Sequence, residues 1–169
     1  DNHPNFTKGA FRRFTRKIGL PTTSTEPHSP WQNRAEHEIG EVKSYAVRIM
    51  QMTETPARLW CFCLEYSADL LSLCASGRFD LQGRTPFEAV MHYTPYISEY
   101  TSFTWFQWCW YYDALLKHKS LCRWLGPAHQ VGQSFCSYIL KDNGEFIARS
   151  TVVPIPDEEL YPMKDIMDK

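Results

Sequence analysis

Apolar residues recur every three to four positions over residues 5–19, at Phe6, Ala10/Phe11, Phe14 and Ile18. That spacing predicts an amphipathic helix. Arg12, Arg13, Arg16 and Lys17 fall away from the stripe, and Gly19 supplies a C-terminal stop. Residues 20–23 read as a short strand, and Pro21, Pro27 and Pro30 punctuate a loop. A long helix is predicted over 32–53, with Ala35, Ile39, Val42, Ala46, Ile49 and Met50 on one stripe. Gly40 weakens it by ~1 kcal/mol relative to Ala. Pro56 takes the first position of another helix, predicted over 56–75. Leu59, Trp60, Cys63, Leu64, Ala68, Leu70, Leu71 and Cys74 nearly encircle it, so it should be buried. After a loop over 77–84, Thr85-Pro86-Phe87-Glu88 has the capping-box spacing and opens a short helix, which Thr94-Pro95 ends.

Beyond residue 97 the period changes. Residues 103–112 are aromatic and β-prone, and 121–125 and 134–140 read as strands. Asp142-Asn143-Gly144 is a hairpin turn, after which 145–153 alternates. Four or five short strands with tight turns predict a small antiparallel β-barrel. The expected division is a mostly helical part over 1–96, a barrel over 97–156 and an acidic tail over 157–169.

A chain of 169 residues suits one domain, or one with a small second. At 43% hydrophobic and 22% charged it can bury a core, which excludes global disorder. A net charge of −1 excludes an overall basic field, but the charge is unevenly placed. Residues 1–20 carry Lys8, Arg12, Arg13, Arg16 and Lys17 against Asp1, a net +4, while 156–169 carry a net −3. Lys117, Lys119 and Arg123 lie in a stretch, 114–130, with no Asp or Glu. Such patches suit phosphate or are solvated faces. The cysteines at 61, 63, 74, 109, 122 and 136 sit in apolar runs, and Cys61/Cys63 has no second pair to complete a zinc set. They read as reduced core thiols of an intracellular protein. No apolar run approaches the ~18 residues of a membrane span. The first residue is Asp, so the chain reads as part of a longer polypeptide.

The chemistry centres on Glu36, at the start of the long helix and 35 positions after Asp1. A glutamate there can simply complement the helix dipole. Two-metal phosphoryl transfer instead needs carboxylates from separate elements, holding two divalent cations about 3.5–4 Å apart. Asp1 and Glu36 can supply two of these if the fold brings them together.

Asp1-Asn2 with Phe6, and Pro30, Gln32, Asn33, Ala35 and Glu36, follow two motifs in order. Leu59-Trp60, then Thr85-Pro86-Phe87-Glu88 with Pro95, then Leu125-Gly126-Pro127, continue the series over nearly the whole chain. Together they resemble the downstream portion of integrases of copia-type long-terminal-repeat retrotransposons. The resemblance implies a truncated α/β RNase H-like core, mostly helical here, followed by the barrel. It also implies an Asp-Asp-Glu triad in which Asp1 and Glu36 are catalytic and hold two Mg²⁺ (or Mn²⁺). The remaining Asp and a zinc-binding region would lie upstream. His3, Asn5 and His37 depart from the family's Gly, Glu and Arg, and the second motif is one residue short. A one-position gap aligns Ala35-Glu36 with the family's Ala-Glu, whereas without the gap His37 would take that place; Glu38 is the fallback.

The implied activity is DNA integration by metal-dependent strand transfer, on double-stranded element ends and target, by a homo-oligomer in the nucleus and away from membranes. Lys43, two turns after Glu36 on the same face, is a candidate phosphate contact or a solvated lysine. Gln32 and Asn33 are candidate DNA contacts or helix caps, and Arg12 and Arg16 candidate target-DNA contacts. The aromatics of 103–112 suit a barrel core better than a base-stacking platform. A non-catalytic DNA-binding or assembly remnant is the alternative expectation.

Overall fold

The computed structural model describes residues 8–22, 33–113, 117–131, 135–156 and 158–159. The chain forms two compact units, Asp1–Ser44 and Tyr45–Lys169. In the first, helix α1 (Gly9–Lys17) is shorter than the predicted 5–19, of which 5–7 lie outside the described residues. It stops where Gly19 predicts. Leu20 N–H donates to the Thr15 carbonyl at 2.9 Å and Gly19 N–H to that of Arg16 at 3.2 Å, a Schellman closure. The predicted stripe is not a buried one: Phe11, Phe14 and Ile18 are 44%, 58% and 50% exposed, while Thr15 is buried. Residues 20–22 form no strand, which corrects that expectation; Thr23 is outside the described residues.

Helix α2 (Arg34–Met52) begins in the first unit, and Ala46 of its stripe belongs to the core of the second. Ile39 is exposed, whereas Ala46 is fully buried and Ile49 and Met50 pack beside it. The helix ends with Glu54 at φ 53° and Thr55 N–H donating to the Met50 carbonyl at 3.0 Å. A non-glycine residue therefore occupies the left-handed position of a Schellman closure. Instead of one helix from Pro56, a 3-10 turn (Ala57–Leu59) leads into α3 (Trp60–Leu73). Pro56 has ψ 139° and precedes the turn. α3 buries Cys63, Tyr66 and Ser67, but Cys61 is exposed, so it is covered on one side only.

The capping box is present. In α4 (Pro86–Met91) Glu88 N–H donates to Thr85 Oγ1 at 3.0 Å, and Thr85 N–H to Glu88 Oε2 at 3.1 Å. A short helix α5 (Ser98–Ser102) follows, which periodicity did not predict.

Five antiparallel strands follow: β1 (Trp108–Asp113), β2 (His118–Pro127), β3 (Ser137–Lys141), β4 (Phe146–Arg149) and β5 (Val152–Pro154). Their order is β4-β3-β2-β1-β5, an open ladder rather than a closed hydrogen-bonded barrel. It cannot be flat. Four strand spacings separate its edges, about 19 Å, yet only Ser150 and Thr151 join β4 to β5. That link reaches about 10 Å, so the sheet curls until the two edges approach at that corner. The Asp142-Asn143-Gly144 turn closes as predicted: Gly144 N–H donates to the Lys141 carbonyl, and Lys141 N–H to that of Glu145, each at 3.0 Å. Gly144 at φ 81° completes the bulge of a three-residue hairpin. In β2 a register shift between Trp124 and Pro127 coincides with Gly126 at φ 111°, and a Cβ there would meet Tyr66 at 3.7 Å.

The core spans the expected division near residue 97. Ala46, Leu59, Cys63 and Tyr66 share one cluster with Phe103, Trp105, Cys109, Tyr111, Cys122, Trp124, Leu125, Ile139 and Leu140. Trp105 Nε1 donates to Thr55 Oγ1 at 2.9 Å, tying the segment before β1 to the end of α2.

Two outcomes are expected. Glu54→Gly removes left-handed strain at the end of α2 and raises stability by about 0.5 kcal/mol in urea unfolding. The Glu88 carboxyl is held below its ordinary pKa, first by the Thr85 N–H it accepts. A depressed folded pKa gives stability present above the unfolded value, about 4.3, and lost as pH falls through the folded one. Glu88→Gln keeps an acceptor but removes that charge. Unfolding curves for the variant and the unmodified chain should converge at the acid end and separate above about pH 5.

Candidate functional site

Asn33 directly precedes α2, and Glu36 is in its first turn. Glu36 N–H donates to Asn33 Oδ1 at 3.3 Å, the N-terminal cap that four orphan donors at a helix start invite. Asn33 Nδ2 reaches back to Glu36 Oε2 at 3.5 Å, a long contact. Asn33 is therefore a cap, and Glu36 complements the dipole while its carboxylate stays exposed. Arg34 Nε and Glu38 Oε1 lie 3.9 Å apart on the same exposed surface.

Lys43 is exposed, about 10 Å along the axis from Glu36. Arg12 and Arg16 are exposed on α1. Asp1 and Gln32 lie outside the described residues. Among the described residues, no three His, Cys, Asp or Glu side chains gather in a metal-holding group. The donor chemistry of Glu36, an accessible carboxylate, is of the kind Mg²⁺ takes.

The aromatic segment divides between two environments. On β1, Cys109 and Tyr111 point into the core, while Trp108 and Trp110 are half-buried and Tyr112 is exposed. Opposite the outward three stand Arg123, Leu121 and Lys119 on β2. The Arg123 guanidinium lies 3.8 Å from the Trp108 ring centroid and 4.6 Å from that of Phe106, and its Nη1 donates to the Phe106 carbonyl at 2.9 Å. Lys117 and Lys119 are exposed. This outward face combines cations with flat rings, which suits a phosphate backbone with stackable bases. Among the described residues Glu159 adjoins this face, its Oε2 accepting from Trp110 Nε1 at 3.3 Å. Period-two alternation through Trp108–Tyr112 was the sequence signal for this split.

A second polar cluster had no sequence signal, because its members are far apart in the chain. Tyr100 Oη donates to Asp69 Oδ2 at 2.8 Å, and His129 Nε2 lies 2.9 Å from the same oxygen. Burial first, then the Asp69 hydrogen bond, pushes the Tyr100 phenol up. It is a clamp between α3, α5 and the turn after β2. The thiols divide as well: Cys63, Cys109 and Cys122 are buried, as expected, but Cys61 and Cys74 are exposed and Cys136 is intermediate. Burial raises Cys63 to about 11, so it is no nucleophile near neutrality.

Comparison with protein-family models, curated proteins and solved structures finds no match.

If Asn33 holds the start of α2, Asn33→Ala costs about 1 kcal/mol of stability while Asn33→Asp or Asn33→Ser costs much less. Thermal unfolding followed by circular dichroism distinguishes the three, and an unchanged Ala variant removes the capping role.

Proposed function

We propose that the chain is the downstream portion of a retroelement integrase resembling those of copia-type retrotransposons, and that it binds double-stranded DNA during metal-dependent strand transfer. The observation that carries this reading is the solvent-facing Glu36 carboxylate, set by its cap at the head of a 19-residue helix with Lys43 exposed two turns on. The order of elements after it supports the reading: a helix opening on Trp60, the Thr85–Glu88 capped helix, then a curled antiparallel sheet.

In this reading Glu36, Asp1 and an Asp upstream hold two Mg²⁺ (or Mn²⁺). Those ions would supply an activated hydroxyl and charge neutralisation at the phosphodiester. What the chain itself does is position: the Asn33 cap fixes where the Glu36 backbone sits, and Lys43 offers a cation to a DNA phosphate beside it. Within the first unit Arg12 and Arg16 offer further cations to phosphate, and within the second the Lys119–Arg123 face does the same. A multimer of identical chains in the nucleus would bring two element ends together. Among the described residues no helix is long and apolar enough to cross a membrane.

The test is strand joining by the chain extended upstream to include the missing carboxylate, with Mg²⁺ or Mn²⁺. Glu36→Gln should reduce joining on the order of 10³-fold, several kcal/mol of lost transition-state stabilisation, with duplex binding unchanged. Lys43→Ala, Arg12→Ala and Arg16→Ala should each weaken binding across sequences and lower the salt slope by about 1. Joining that survives Glu36→Gln removes the assignment of that acid. Duplex binding without any metal-dependent joining selects the non-catalytic remnant, and absence of duplex binding rejects both.

A further inference from the structure

Of the six cysteines, two stand directly opposite one another. Cys109 of β1 and Cys122 of β2 share a rung of the antiparallel ladder, with their sulfurs 3.3 Å apart. Both are fully buried. Each sulfur also lies near the other residue's carbonyl oxygen, at 3.6 Å and 3.4 Å. Opposed residues on such a rung have Cα atoms about 4.5–5.5 Å apart, within the roughly 4.4–6.8 Å that a disulfide spans. Cys63, the other buried thiol, is directed instead at the Ala46 carbonyl, 3.5 Å away.

We propose that Cys109 and Cys122 form a reversible oxidation site whose oxidant is a small soluble disulfide such as glutathione disulfide. One protein thiol gives its proton to solvent, and its thiolate attacks a glutathione sulfur. A glutathione thiolate leaves and a mixed disulfide remains. The second cysteine, deprotonated in turn, attacks the protein sulfur of that mixed disulfide. The Cys109–Cys122 bond forms and the second glutathione thiolate departs. Two thiols lose two protons and two electrons, and one glutathione disulfide becomes two glutathione thiols.

Access runs through the sheet edge. On its other side Cys109 is opposite Pro154 of β5, an edge strand three residues long. Its Val153 is half exposed, and proline offers no N–H to the ladder. Opening so short a strand is a local event, far easier than global unfolding. The Cys109 contact and burial both push the Cys122 thiol up, so attack waits for that opening. The pair therefore oxidises more slowly than exposed Cys61 and Cys74 and, once linked, fixes the two strands that carry Trp108 and Arg123. This inference is independent of any nucleic-acid role.

The experiment treats the intact chain with glutathione disulfide in native buffer, quenches with acid, alkylates free thiols, and maps unreduced peptides by mass spectrometry. The expected product is a linked peptide pair containing Cys109 and Cys122, two hydrogens lighter than the thiols, and reversed by dithiothreitol. Val152→Gly, which weakens β5, should speed its formation severalfold, and the linked chain should melt several degrees higher than the reduced one. Glutathione adducts on Cys61 and Cys74, with Cys109 and Cys122 both recovered as thiols, would overturn the proposal. So would a link that forms in urea and not in native buffer.

Discussion

Burial of Trp124 is the constraint on which the second unit depends. It lies on β2, a central strand, and is fully buried. Phe103 stacks on it at 5.3 Å and 12°, and Tyr66 of α3 meets it edge-on at 5.6 Å. One indole thus joins the sheet, the segment leading into it and the helix above it. Full burial of so large a ring is worth several kcal/mol, at about 25 cal/mol per Å². Against this stands its Nε1, buried without a hydrogen-bond partner among the described residues, a penalty of about 1–3 kcal/mol. The apolar term is the larger, so the orphan donor is tolerated. The Tyr66 ring in turn occupies the space beside Gly126, so the irregularity in β2 and the seat of α3 are one packing solution.

That shared cluster explains why a change of sequence period near residue 97 does not mark a change of core. Periodicity reports which kind of element a segment forms, and aromatic packing reports which elements are inseparable. Phe62 of α3 touches Tyr138 and Phe146 on β3 and β4, as Tyr66 touches Trp124 on β2. The helix therefore contributes to the sheet's cover along three strands. From α2, Ala46 belongs to this cluster, with Ile49 and Met50 packed against it.

What was legible in the chain was local chemistry. Thr85 with Glu88, Gly19 after α1 and Asn143-Gly144 each specify a closure within five residues, and each closes so. Residues 103–107 misled because aromatic content resembles a strand. There Gln107 Oε1 accepts from Thr104 N–H at 2.9 Å, and Phe106 sits at φ 61°, so the chain turns before β1. Position-specific hydrogen bonding overrode propensity. The Asp69–Tyr100–His129 clamp and the Cys109–Cys122 rung depend on strand register and helix placement, which no single segment encodes. For the candidate site, Asn33's cap was legible, whereas Asp1 and Gln32 are beyond the described residues.

Glu36 carries two readings that compete for the same oxygens. As a helix-start residue it needs little more than its position, since the dipole acts on the charge and Asn33 Oδ1 binds the backbone N–H, not the carboxylate. Among the described residues the one contact that engages the carboxylate, Asn33 Nδ2 to Oε2, is 3.5 Å long and exposed. A contact of that kind contributes on the order of 0.5 kcal/mol or less. A divalent cation would offer the same carboxylate several kcal/mol. Recruiting Glu36 to a metal would therefore sacrifice almost nothing of the cap, because the part of the cap that orders the helix is Asn33 to the backbone. The geometry is indifferent between a capped helix and a capped helix with a ligand at its head. A metal at Glu36 would need further carboxylates beside it, and among the described residues no such group gathers there.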